Sequence, residues 1–99
     1  MDLFDKLYDE DETVKVRFVG FTTEHVRYDF GIVFTNMFFG KPLVVCMQTG
    51  RSALLDATDL KNTDSIQKAF NIQSKKEAEE LSSFFEESIP FSPIAEQYD

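Results

Sequence analysis

Residues 14–35 read VKVRFVGFTTEHVRYDFGIVFT, and this stretch decides the fold class. Val14, Val16 and Phe18 alternate with Lys15 and Arg17. After a polar break at Thr22-Thr23-Glu24, the series Val26, Tyr28, Phe30, Ile32 and Phe34 alternates with Arg27, Asp29 and Gly31. A period of two places successive side chains on opposite faces of a strand. Two such runs joined by a short polar link form an antiparallel hairpin. The alternation predicts strands over about 13–21 and 25–35. With a three-residue link, Phe21 faces His25, Phe18 meets Tyr28, Val16 meets Phe30 and Val14 meets Ile32. Arg17 then lies opposite Asp29, and Val19 opposite Arg27. In that register the even-numbered side chains of both strands share one dry face, and the odd-numbered ones stay wet.

Beyond the hairpin, Asn36-Met37-Phe38-Phe39-Gly40-Lys41 carries turn residues around three large apolar ones, an unusual composition for a connection. Pro42 to Met47 is apolar on both faces, which predicts a central or doubly covered third strand. Gln48-Thr49-Gly50-Arg51 is a turn, and Arg51–Leu55 a fourth strand. Its inward set is Ser52/Leu54 or Ala53/Leu55, depending on turn length. Residues 56–63 are polar and turn-like. A short helix follows over 64–71, with Ile66, Ala69 and Phe70 on one side. Ser74 and Glu77 form a capping box that opens a helix over 75–88. Ala78, Leu81, Phe84 or Phe85, and Ser88 fall on its inner stripe, and Pro90 stops it.

The predicted class is therefore α+β: a four-stranded antiparallel meander followed by two C-terminal helices. A strongly curled sheet closing toward a small barrel is the alternative. The organisation is an acidic N-terminal segment (1–12), one α+β domain (13–89) and a flexible acidic tail (90–99). In the first segment Leu3, Phe4, Leu7 and Tyr8 stand at helical spacing, which fits a short amphipathic turn as well as a frayed end.

The 99 residues carry eleven Phe and three Tyr, enough burial per residue for a small core without disulfides. Cys46 is the one cysteine, which favours a reducing, cytosolic setting. The opening Met-Asp-Leu-Phe-Asp-Lys lacks the pattern of a signal peptide, and no apolar stretch reaches the ~20 residues of a membrane span. The net charge of −8 is uneven. Residues 1–12 hold six acids against one Lys, and residues 75–99 hold seven against two, while the middle is nearly balanced. Such a field repels nucleic acid and anionic membranes.

No catalytic constellation stands out. One His and one Cys cannot supply a zinc centre, and the Asp9–Glu12 run lacks EF-hand spacing. Cys46 sits among Leu43, Val44, Val45 and Met47, the setting of an inert buried thiol rather than a nucleophile paired with His25. None of the four glycines belongs to a phosphate-binding loop. No cofactor is expected. Lys15, Arg17 and Arg27 interleave with aromatics, as in single-strand nucleic-acid binders. The aromatics, however, segregate to the face without basic residues, which reads as core.

The segments KVRFVGF (15–21), RYDFGIVFTNMFFGKPLVV (27–45) and TGRSALLDATDL (49–60) together resemble a family of short uncharacterised cytosolic proteins of Bacillus- and Staphylococcus-like Firmicutes, a domain of unknown function. The resemblance covers about residues 10–87. It implies a cytosolic protein of such bacteria and brings no activity, cofactor or catalytic residue.

These observations favour a non-enzymatic protein-interaction or regulatory module with a protein partner or a second copy, contacted through Met37, Phe38 and Phe39. The alternative is a small-ligand binder or enzyme using a polar patch of Lys15, Arg17, Arg27, Asp29 and His25. Nucleic-acid binding through the basic residues ranks third.

Overall fold

The computed structural model describes residues 3–89. Four strands run in chain order: β1 (Lys15–Thr22), β2 (Arg27–Phe34), β3 (Leu43–Cys46) and β4 (Ser52–Leu54). Each pairs antiparallel with the next, giving an open meander rather than a barrel. Three helices follow: α1 (Ala57–Lys61), α2 (Thr63–Phe70) and α3 (Lys75–Ser88). The fold class is as the sequence predicts, with one helix more. The expected tail (90–99) lies outside the described residues, and residues 3–12 carry no helix.

The extra helix grows out of a stretch that reads as turn. Asp56 caps it, accepting from the Asp59 N–H at 2.8 Å, while the Asp59 carboxylate accepts from the Asp56 N–H at 3.0 Å. This is a capping box built from two Asp rather than Ser and Glu. The Asp59 N–H, above all, holds the Asp56 carboxyl below its usual range. Asn62 then ends α1 and opens α2, its side chain accepting from the Asp64 and Ser65 N–H groups. Asn71 takes the left-handed conformation that closes α2, a role suited to Asn. Ser74 caps α3.

All three helices pack on one face of the sheet. Phe30, Ile32, Val44 and Cys46 meet Leu60, Ile66, Phe70, Ala78, Leu81 and Phe85 in one cluster. Phe30 stands at its centre, edge-on to Phe70 at 5.2 Å and to Phe85 at 4.9 Å between ring centroids. The buried Ser82 hydroxyl donates to the Leu60 carbonyl, tying α3 to α1.

The β1–β2 register differs from the sequence reading. Phe21 faces Tyr28, Val19 faces Phe30, Phe18 faces Gly31 and Arg17 faces Ile32. The link is longer than expected. Thr23 and Val26 close it by backbone bonding, and the Thr23 hydroxyl accepts from the Val26 and His25 N–H groups. The offset is an odd number of residues, so it turns β1 over relative to β2. On β2 the even-numbered set is inside, as expected: Phe30 and Ile32 are fully buried. On β1 the inward set is Arg17, Val19 and Phe21, and Phe18 is 74% exposed.

The physical reason is that β1 changes phase within itself. Val16 and Phe18 are apolar at even positions, Val19 and Phe21 at odd ones, so patterning alone does not choose. Tertiary contacts choose. Phe21 packs on Phe84 at 4.5 Å, and the Arg17 guanidinium reaches the Ser88 carbonyl at the C-terminus of α3. A cation there complements the helix dipole and satisfies a free carbonyl. On the other side Phe18 lies over Gly31, where an added Cβ would sit 3.3 Å from the ring.

At β4 the open choice resolves to Ala53 and Leu55 inside, because Ala53 pairs with the buried Val44. β3 is central, but it is covered on one side only: Val44 and Cys46 are buried, while Leu43 and Val45 are half-exposed. Truncating Phe30→Ala removes the ring at the centre of the core and should lower stability by about 3–5 kcal/mol. Phe18→Ala should cost about 1 kcal/mol or less. Urea unfolding of the two variants checks the register; equal losses would contradict it.

Candidate functional site

With the helices on one face, the other face of the sheet has nothing on it among the described residues. Its first row is Val16, Val33, Leu43 and Leu54; the next is Phe18, Gly31, Val45 and Ser52. Met47 extends it beside Asp29. Val16 is 42%, Phe18 74% and Met47 54% exposed. A sheet face this apolar in water is the kind of patch that marks an interaction surface. Sequence reasoning missed it because it assigned Val16 and Phe18 to the core.

At the end of this sheet the β2–β3 connection displays Met37, Phe38 and Phe39. Met37 is half-buried, Phe38 is 48% exposed, and Phe39 is fully exposed. Both phenylalanines have left-handed backbones (φ 53° and 63°), followed by Gly40 at 73°. For a bulky L-residue this conformation costs roughly 1–2 kcal/mol, and two in succession are unusual. The loop is nonetheless held firmly. The Gly40 N–H donates to the Met37 carbonyl, and the Met37 N–H donates to the Thr35 hydroxyl. The Glu12 carboxylate accepts from that hydroxyl at 2.5 Å and from the Asn36 N–H at 2.7 Å. These two donors, the hydroxyl first, hold the Glu12 carboxyl below its usual range. Lys41, on the far side of the loop, bridges Asp56 and Asp59 at 3.7 Å each. No signal in the sequence separates Glu12 from the acidic run it ends.

The polar candidates are dispersed. Arg17 is half-buried on the helix side, and exposed Lys15 shares that side. Arg27 stands on the open side, where its Nε pairs with the Asp29 carboxylate at 3.0 Å. Gln48 braces Asp29 from the turn after β3, donating to its carboxylate at 2.6 Å and accepting from its N–H at 2.9 Å. His25 is exposed at the hairpin tip. It borders an open cleft of about 250 Å³ with Thr23, Glu24, Ser74, Lys76, Glu77 and Glu80. That is smaller than the ~300–1,000 Å³ of most ligand sites. Cys46 is buried under the helices. Among the described residues, no group of three or more His, Cys, Asp or Glu is placed to hold a metal. No helix among them is long and apolar enough to cross a membrane.

Compared with protein-family models, residues 7–87 match one described as SAV0927-like. The match spans all four strands, the connection between β2 and β3, and nearly all of α3. A search of the curated proteins returns no match.

One titration reports on the β2–α3 contact beside the cleft. The Tyr28 hydroxyl donates to the Glu77 carboxylate at 3.2 Å. Partial burial first, and then the neighbouring Glu77 charge, push the phenol up to about 12. The fold therefore favours the neutral phenol. That contribution to stability is complete below the ordinary tyrosine value of about 10 and is lost as the pH rises toward the folded value. Phenolate absorbance should show a late-ionising phase from Tyr28. Tyr28→Phe should abolish the late phase, and Glu77→Gln should bring it down.

Proposed function

The chain belongs to the SAV0927-like family, an uncharacterised family named after a Staphylococcus aureus protein, and from that premise we propose that it is a non-enzymatic protein-interaction or regulatory module. The observation that carries this reading is Phe39, a large ring wholly in water on a left-handed backbone that a glycine would occupy at less cost. A strained, firmly tethered aromatic is pre-organised, so little is lost when a partner covers it. Such rings become the central anchors of interfaces. Met37 and Phe38 complete the contact. The lone buried Cys46, the family's namesake and the resemblance to Firmicutes proteins support a cytosolic setting in such a bacterium.

The small-ligand alternative has less support, because Arg17 and Arg27 lie on opposite faces and Arg27 is already paired with Asp29. Charged groups that do not converge make a weak site.

Two variants test the loop. Phe39→Gly relieves the strained backbone and should raise stability by about 1 kcal/mol in urea unfolding. In affinity capture from a native lysate it should nevertheless lose the partner that the wild type retains. Phe38→Ser/Phe39→Ser should lose it as well. An identical set of captured proteins for all three chains would refute the reading.

A further inference from the structure

We propose that the open sheet face is a self-association surface, on which a second copy of this chain packs sheet against sheet in a two-fold dimer. The inference rests on the interaction reading and gives that reading a second surface and a named partner.

Self-complementarity is the first reason. A two-fold interface opposes a patch to itself, so a patch of one charge sign repels its own copy. The face made by Val16, Phe18, Val33, Leu43, Val45 and Met47 is uncharged. The charged side chains at its end, Arg27 and Asp29, already neutralise one another. The acids of α3 (Glu79, Glu80, Glu86 and Glu87) ride on the helical layer across the sheet. Two copies joined by their open faces therefore keep those charges far apart. A basic or acidic partner would find nothing on the face to pair with, whereas a second copy brings apolar surface of the same kind.

Shape is the second reason. Sheets pack face to face at about 10 Å with their side chains interdigitating. Phe18 and Met47 project from this face, and the Gly31 between them has no side chain; a Cβ there would lie 3.3 Å from Phe18 and 3.7 Å from the Met47 sulfur. The surface thus has ridges and a trough of the kind that two sheets mesh.

Area is the third. Four strands about 4.8 Å apart and three rows about 6.8 Å apart give a footprint of roughly 400 Å². A standard interface takes about 800 Å² from each partner. The face alone supplies about half, and the chain carries a second exposed apolar element tethered at its edge. Leu3, Phe4 and Leu7 are 87–89% exposed and Tyr8 57% exposed. Glu12 tethers this segment to Thr35 and Asn36 at the Val16–Leu54 end of the face. In the dimer each segment lies along the margin of the joined sheets, adding its leucines and rings to the buried area.

Sedimentation equilibrium of the full chain, with Phe18→Glu and Met47→Glu as variants, is the test. The wild type should show a dimer mass at about 100 μM, above the micromolar dissociation constants of modest interfaces. Either charge, buried without a partner, should weaken association about 100-fold or more. Both sites are more than half exposed, so far-UV circular dichroism should be unchanged. Leu7→Glu should weaken the dimer about tenfold. A monomeric wild type, or a dimer indifferent to both face variants, overturns the proposal. A monomer that still captures a partner through Phe39 removes the dimer and leaves the interaction reading standing. A dimer lost in Phe18→Glu and kept in Phe39→Gly supports the dimer even if no other protein is captured.

Discussion

Phe30 holds the two layers of this molecule together. It projects from the second strand between Phe70 of α2 and Phe85 of α3 and meets both edge-on, with Tyr28 stacked beside it at 6.0 Å. Offset and edge-to-face ring pairs of this kind add about 0.5–1.5 kcal/mol each beyond the area they bury. The helices all follow the last strand in the chain, and this aromatic contact draws them to one side of the sheet. The inner face closes around it. Ala78, Leu81 and Ile66 fill the space between the layers, and Arg17 and Ser82 satisfy the carbonyls of Ser88 and Leu60 at the helix ends. One-sided coverage has a direct consequence: the second face of the same sheet stays in water.

An antiparallel sheet tolerates a wet face when that face is polar. Here it is not. The same β1 that buries Val19 and Phe21 must turn Val16 and Phe18 outward, because successive residues of a strand alternate sides. β3, with Leu43, Val44, Val45, Cys46 and Met47 in series, does the same. The acids of α3 ride on the helical side, and Glu12 is tethered at one end of the open face, so the patch itself stays uncharged. Apolar area and the acids of α3 are thus sorted to opposite sides of the sheet.

The β2–β3 connection has a related character. It could have been a glycine-rich turn; instead two consecutive phenylalanines occupy left-handed conformations, and Gly40 alone suits that region. Glu12, Thr35 and Lys41 brace the segment from both sides, which is what a strained backbone needs to persist. A loop built at such a cost, with its largest side chain in solvent, is readily understood as a contact element and poorly understood as a connection.

Much of this was legible in the chain itself. Alternation over residues 14–35 determined the presence of a hairpin, the composition of 42–47 a central strand, and the Ser74–Glu77 pair the start of α3, because local hydrogen bonding and periodicity act within a few residues. The aromatic excess between Asn36 and Lys41 marked the candidate site for the same local reason. α1 escaped notice because its capping box uses Asp56 and Asp59, residues that also make turns. The orientation of β1 was a different kind of problem. Its apolar residues occupy both parities, so either face satisfies the pattern. The choice falls to contacts with Phe84 and Ser88, more than sixty residues away in the chain, and to the absence of a side chain at Gly31. Only the packed structure brings those groups together, and with them it decides which face of the sheet meets water.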